Sequence, residues 1–181
     1  MSDDDFTQAR PGVHPIEDEN RELIPLKINE DDVTKDLAPF LAVATVVLVI
    51  GAYFSWRYPW FKNSRNGPHI LTLLIGTIIS LYVPAIVSYR IILRDPSAKL
   101  YVTALFLLLM ISNISLYFFF LYRVNPTVGI ILSIVNIILI LGLMYLIPND
   151  MIGFLLMLLP IAWSMYTIYW AWSVKQAGSV N

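Results

Sequence analysis

Five long apolar runs, separated by short polar segments, follow one another through the chain after residue 36. They cover residues 37–56, 69–93, 99–122, 127–147 and 151–173. Each has about twenty residues or more, the length at which an α-helix crosses a hydrocarbon core of about 30 Å. The runs are continuously apolar and do not alternate, so they indicate helices and not the strands of a membrane barrel. The pattern therefore predicts five transmembrane helices.

The polar segments between the runs carry residues that turn the chain. They are 57–68 with Gly67 and Pro68, 94–98 with Pro96, the pair Asn125-Pro126, and the triplet Pro148-Asn149-Asp150. Burying that triplet at mid-bilayer would be costly, so it divides residues 127–173 into two helices instead of one long helix with a re-entrant piece. Short connections make consecutive helices antiparallel. We therefore expect an all-α membrane protein in which five transmembrane helices form an up-and-down bundle.

An acidic tail precedes the bundle. Residues 1–36 contain eleven acidic and four basic residues, a net charge of −7, together with Pro11, Pro15 and Pro25. Such a segment buries too little apolar surface to offset the entropy of ordering, so we predict that it is disordered unless a partner holds it. Within it, residues 19–24 fit the acidic dileucine pattern that endosomal sorting adaptors read. A second short tail, residues 176–181, follows the last helix.

The charges in the rest of the chain argue against several functions. Residues 37–181 hold two acids, Asp95 and Asp150, against eight bases that cap apolar runs and form no patch for nucleic acid. The central parts of all predicted helices lack ionisable side chains, which argues against a proton-coupled transporter. His14 and His69 have no serine–carboxylate or metal-ligand arrangement beside them, and the chain has no cysteine. We therefore expect no catalytic residue, no metal site and no resident cofactor.

Two asparagines lie within the predicted helices, Asn113 in the third and Asn136 in the fourth. An unpaired amide in hydrocarbon is costly, so each should face the bundle and find a partner. Gly129, Ser133 and Asn136 share one face of the fourth helix, a small-residue pattern typical of close helix packing. The asparagines therefore either join helices through hydrogen bonds or line a binding pocket.

All five tryptophans fall on one side of the predicted bundle, because the first, third and fifth helices end on the same side. Trp56 and Trp60 lie at the end of the first helix and after it, and Trp163, Trp170 and Trp172 lie in the second half of the fifth. An interfacial belt of aromatic residues is one interpretation, but a belt should decorate both interfaces. The other is an aromatic cavity beneath the connection 57–68, suited to a flat apolar ligand.

The chain resembles the translocator protein family, also called tryptophan-rich sensory proteins or peripheral benzodiazepine receptors. The resemblance covers residues 38–173 and rests on chain size, five spans and an ordered set of local matches. The matches are Trp56 with Pro59-Trp60; Pro68, Gly76, Tyr82 and Tyr89; Asn113 followed by Phe118-Phe119-Phe120; Val135-Asn136-Ile137, where the family usually has an aspartate; and Pro160-Ile161-Ala162-Trp163. The resemblance implies a sterol or tetrapyrrole ligand in a pocket closed by the first loop, frequent dimers, and a mitochondrial, other organelle or bacterial membrane.

The leading functional hypothesis is a non-enzymatic membrane receptor or sensor for a flat hydrophobic ligand, a porphyrin or a sterol. Its ligand-binding residues would be Trp56, Trp60, Asn113, Asn136, Trp163 and Trp170. This hypothesis predicts a ligand-sized cavity between helices on the tryptophan-rich side.

Two other functions stay open. One is a non-catalytic subunit or assembly factor of a larger membrane protein complex, which docks through the acidic tail and the transmembrane faces. The other, an intramembrane enzyme, requires a cofactor that supplies all the chemistry. We expect as partners the lipid bilayer, a hydrophobic small molecule, and either a second copy of the chain or a larger complex. The membrane would be mitochondrial, an endomembrane or a bacterial inner membrane.

Overall fold

The computed structural model describes residues 30–57, 70–147 and 150–178, and within these ranges the chain is helical between short turns, with no strand. The helices are α1 Glu30–Arg57, α2 Ile70–Arg94, α3 Lys99–Leu116, α4 Pro126–Tyr145 and α5 Met151–Gly178. A short 3₁₀ helix, Pro96–Ala98, leads into α3, and a π-helical segment, Tyr117–Tyr122, continues it. All five helices are long and apolar enough to cross a membrane. The predicted fold is confirmed, and the chain is an integral multi-pass membrane protein.

The first and last helices are longer than the apolar runs. α1 begins at Glu30 instead of residue 37, and α5 ends at Gly178 instead of residue 173. An apolar run marks where a helix enters the bilayer and not where the helix begins. Because no residue between Glu30 and Asp36 breaks a helix, α1 extends beyond its apolar run. Acidic residues in a first helical turn also interact favourably with the helix dipole. Residues 1–29, including the dileucine-like pattern at 19–24, lie outside the described part of the chain.

Contacts between helices define their directions. Near the starts of α1 and α3, Phe40 and Phe106 pack edge-on with their ring centroids 4.9 Å apart. Arg90, near the end of α2, binds Asp150, which directly precedes α5. α1 and α3 therefore run the same way and α2 runs against α5, in agreement with the predicted up-and-down arrangement.

The bundle has two distinct ends. α1, α3 and α5 begin at the acidic end, where Asp95 and Asp150 lie, and they finish at the aromatic end, which contains the Tyr117–Tyr122 segment and Trp170. α3 is central, with half of its span buried, whereas α1 is peripheral, with 22% of its span buried. Apolar side chains that face outward around the bundle, such as Val49, meet the requirement of a lipid-exposed surface.

Candidate functional site at the aromatic end

The two predicted asparagines hydrogen-bond to each other in the core. The Asn136 Nδ2 donates to the Asn113 Oδ1 over 3.3 Å, and the Asn113 Nδ2 donates to the Leu109 carbonyl over 2.9 Å. Both side chains are buried, so the prediction that each faces the bundle is confirmed. Gly129, Ser133 and Asn136 are likewise all buried on α4. This hydrogen bond joins α3 to α4, as expected if the asparagines connect helices.

Trp163 lies directly on the backbone of α2. A Cβ atom added to Gly76 would overlap the indole ring of Trp163, so only a glycine fits at this point of α2. The indole also lies against Tyr166 on its own helix, with the ring centroids 5.4 Å apart. The indole itself therefore fills the space between α2 and α5 at this point of the two helices.

Trp170 is part of the same packing. It is 2% exposed and meets the Phe120 ring edge-on, at a centroid distance of 4.8 Å. Phe120 in turn lies over Gly129 of α4, where an added Cβ would stand 2.9 Å from the ring. On the opposite side, an added Cβ at Gly51 of α1 would stand 2.8 Å from the Tyr117 ring. Three glycines on three helices thus each accept an aromatic ring.

A small cavity remains between these rings. Its volume is about 20 Å³, and it is lined by Leu73, Thr77, Leu116, Tyr117, Phe120, Leu121, Trp163, Thr167 and Trp170. This volume holds about one water molecule, whereas a site for a porphyrin or a sterol needs several hundred Å³. The cavity that these described residues line is therefore far smaller than the predicted ligand-sized one. The physical reason is the glycine opposite each ring, which lets neighbouring helices close the gap.

The six predicted site residues do not form one group. Trp163 and Trp170 line the small cavity, and Asn113 and Asn136 form a separate pair that is not among its lining residues. Trp56 belongs to the last turn of α1, and its side chain lies outside the described part of the chain. Trp60 and most of the predicted lid, residues 58–68, also lie outside it.

The π-helical segment Tyr117–Tyr122 is a feature that sequence reasoning missed. Its wider turn places the Phe118 and Tyr122 rings nearly parallel, with the centroids 5.2 Å apart. The guanidinium of Arg123 lies 5.6 Å from the Tyr122 centroid and 5.8 Å from the Phe118 centroid, within the range of a cation–π contact. Val124 then adopts a φ of 52°, a left-handed conformation that is strained for a β-branched residue. The only signal in the sequence is the run of three phenylalanines at 118–120.

The acidic end contains an ion pair that sequence reasoning also missed. The Arg90 Nε and Nη2 donate to the two oxygens of Asp150 over 2.9 and 3.0 Å, and the Arg94 Nη2 lies 3.5 Å from the Asp150 Oδ1. The Asp150 Oδ1 also accepts the Gly153 amide over 3.1 Å and so caps α5. These contacts, the Arg90 hydrogen bonds first, hold the pKa of the Asp150 carboxyl below its ordinary value although burial opposes this. The pair joins the end of α2 to the start of α5.

The described residues contain no group of three or more histidines, cysteines, aspartates or glutamates placed to bind a metal ion. No protein-family model, curated protein or solved structure matches the chain. Any functional conclusion therefore rests on the geometry of the bundle.

Proposed function

We propose that this protein is a non-catalytic subunit or assembly factor of a larger membrane complex, and that it binds a second membrane protein through α1 and the acidic segment preceding it. The observation that carries the proposal is the position of α1. It is the least buried of the five spans, and it packs mainly on α2 and on α3 with its π-helical continuation. Most of its surface thus stays available to another helix.

The outward face of α1 has the pattern of a helix-packing surface. Exposed residues recur there at alternating spacings of four and three positions: Ala38, Ala42, Thr45, Val49 and Ala52. Thr45 lies at the edge of this face towards α2, where its hydroxyl is 2.9 Å from that of Tyr82. This spacing is that of a two-helix seam, and small residues let a partner helix approach closely within the membrane. A face intended only for lipid has no need of small residues at these positions.

The start of α1 points to the chemistry of the partner. Residues 30–36 are helical, precede the span that begins at Leu37, and contain four acids and one base. At 1.5 Å per residue they add about 10 Å of helix beyond the span. If two copies of this chain paired through α1, residues 1–36 of one copy would lie near those of the other. Each of these segments has a net charge of −7, so the two would repel each other. We therefore infer a different protein with a basic segment next to its transmembrane helix.

The packed interior agrees with this function. The cavity between the rings at the aromatic end holds about one water molecule, at about 20 Å³. A docking protein requires no internal chamber, because its function depends on its outer surface.

Cysteine cross-linking in native membranes tests the proposal, because the chain has no cysteine of its own. We expect Ala42→Cys to form one discrete cross-linked product with a single other membrane protein, identified by mass spectrometry. Ile138→Cys, at an equally outward position on α4, is the matched control and should give no such product. Replacing Glu30, Asp31, Asp32 and Asp36 by their amides should remove most of the product. A product containing only two copies of this chain, or equal products from both cysteine variants, would overturn the proposal.

One observation favours a second function. The small cavity is lined by both Trp163 and Trp170, two residues predicted to bind a ligand. If the Trp163 ring moved off Gly76, the gap between α2 and α5 would widen, as a receptor for a porphyrin or sterol of the translocator type would require. This function rests on the family resemblance and on that motion.

Tryptophan fluorescence of the purified protein in detergent tests the receptor function. The protein is titrated with protoporphyrin IX and then with a sterol, beside a Trp163→Phe, Trp170→Phe variant. Saturable quenching at micromolar ligand, about −8 kcal/mol of binding, that weakens in the variant would support a receptor. Linear quenching without saturation in both proteins would exclude it.

A further inference from the structure

The five-helix topology separates the charges of the described residues. Their acidic residues all lie at the acidic end, together with four bases, a net charge of −2: Glu30, Asp31, Asp32, Lys35, Asp36, Arg90, Arg94, Asp95, Lys99 and Asp150. At the aromatic end the described chain carries three bases and no acidic residue: Arg57, Arg123 and Lys175. A count of bases near the spans gives six against five and so no orientation, but the distribution of net charge is strongly one-sided.

At the acidic end, part of the positive charge is already neutralised within the protein. Arg90 binds Asp150 through two nitrogens, and Arg94 lies 3.5 Å from the same carboxylate. Asp95 adds a further negative charge beside them. This end therefore offers little free positive charge to an anion.

At the aromatic end, Arg123 is exposed and held in place by rings. Its guanidinium lies over Phe118 and Tyr122, and these two rings contact Phe54 of α1 at centroid distances of 5.7 Å. No acidic residue of the described chain lies at this end of the bundle. The start of α4 follows immediately, and the dipole of that helix adds positive potential at the same place. Arg123 is therefore a cation held in place by rings, with no carboxylate counter-ion among the residues that the structure describes.

Exposed aromatic side chains place these bases at the level of lipid headgroups. Tyr53, Tyr169 and Trp172 are all more than half exposed in the aromatic half of the bundle. Tyrosine and tryptophan at the surface of a membrane protein prefer the interface, where the ring is in contact with apolar chains and the polar atom with water. Lys175, also exposed, follows Trp172 by one helical turn. The cations thus lie where a phospholipid phosphate would be.

We propose that the aromatic end binds anionic phospholipid headgroups, with Arg123 and Lys175 as contact residues. A basic side chain near an anionic lipid surface contributes about a fivefold preference for the charged lipid. The acidic end, with its net negative charge, opposes the same lipids.

Quenching by brominated lipids measures this preference directly. The full chain is reconstituted in phosphatidylcholine that contains either dibrominated phosphatidylglycerol or dibrominated phosphatidylcholine. Trp163, Trp170 and Trp172 report on lipid at the aromatic end, where α5 finishes. We expect phosphatidylglycerol to be preferred by about fivefold or more at low salt. In about 0.5 M salt, where the Debye length is only about 4 Å, the preference should fall towards equality.

Substitutions that remove positive charge locate the site. Arg123→Gln with Lys175→Gln should bring the two lipids close to equal quenching, whereas Lys99→Gln, which removes one base at the acidic end, should leave the preference unchanged. Lys175→Gln alone is a variant of an exposed last-turn residue and keeps the test valid if Arg123→Gln does not fold. Equal quenching by both lipids in the unaltered protein would overturn the proposal. So would a preference that survives both high salt and the loss of Lys175 and Arg123.

Discussion

The two ends of the bundle are stabilised by different interactions. At the aromatic end, rings lie on glycines: Trp163 on Gly76, Phe120 on Gly129 and Tyr117 on Gly51. At the acidic end, one buried carboxylate, Asp150, accepts bonds from Arg90 and from the start of α5. Ring-on-glycine packing depends on volume and not on charge, whereas the ion pair depends on charge and is compatible with partial exposure.

This difference predicts opposite sensitivities. The aromatic end should be intolerant of added atoms, because close-packed interiors cannot absorb a methyl group without shifting a helix. The acidic end should be intolerant of a lost partner, because a carboxylate or guanidinium left alone in a buried place is costly.

The largest effect should follow Gly76→Ala. The new methyl group would overlap the Trp163 indole, so α2 and α5 must separate, and we expect a loss of about 2 kcal/mol or more. Thermal unfolding in detergent measures it. Gly142→Ala is the matched control, because its Cβ would meet Leu105 at an ordinary 3.6 Å and the change favours the helix by up to about 1 kcal/mol. Equal unfolding temperatures for the two variants would contradict the ring-on-glycine interpretation.

The next effect should follow Asp150→Asn. This change leaves the bound Arg90 without its carboxylate and weakens the cap of α5, so we expect a loss of about 2 kcal/mol, below the value for a fully buried pair because Arg90 is partly exposed. A double-mutant cycle with Arg90→Gln should give a clear coupling free energy. The same cycle with Arg94→Gln should give a smaller one, because that nitrogen is 3.5 Å away. Identical couplings would show that the two arginines act only through their net charge.

Acid should weaken the acidic end alone. The folded protein holds the Asp150 pKa below the ordinary value of 3.8, so this carboxylate stabilises the fold above about pH 4. The contribution is lost as the pH falls through the lowered pKa, because the native state must then take up a proton that the unfolded state already carries. Unfolding temperatures between about pH 7 and about pH 3 should therefore fall less steeply for Asp150→Asn than for the unaltered protein. Parallel curves would assign the acid sensitivity to other carboxylates.

The smallest effect should come from the asparagine pair between the two ends. A hydrogen bond between side chains of neighbouring transmembrane helices contributes on average about 0.6 kcal/mol. A double-mutant cycle of Asn113→Ala and Asn136→Ala should give a coupling of this size, because the bond between them is 3.3 Å long and joins α3 to α4. A coupling of zero would mean that each asparagine is satisfied separately.

Sequence reasoning reached the parts of the structure that depend on local composition. Five apolar runs of spanning length, separated by turn residues, were enough to predict the five helices and their alternating directions. The cost of an unpaired amide in hydrocarbon was enough to turn Asn113 and Asn136 towards the core. Both predictions follow from the free energy of placing one residue or one segment in lipid, and this free energy can be estimated from the sequence alone.

The tertiary structure alone decided what the aromatic end contains. The position of Trp163 along α5 was evident from the sequence, but its glycine partner lies on α2, three α-helices earlier. Arg90 and Asp150 are 60 residues apart, and each was interpreted as a residue of a helix end or a turn. Whether a cluster of rings encloses a cavity or fills it depends on which small residue faces each ring across the interface. The sequence therefore determined the membrane fold, and the packing between distant helices determined how closely Trp163, Phe120 and Tyr117 approach their glycines.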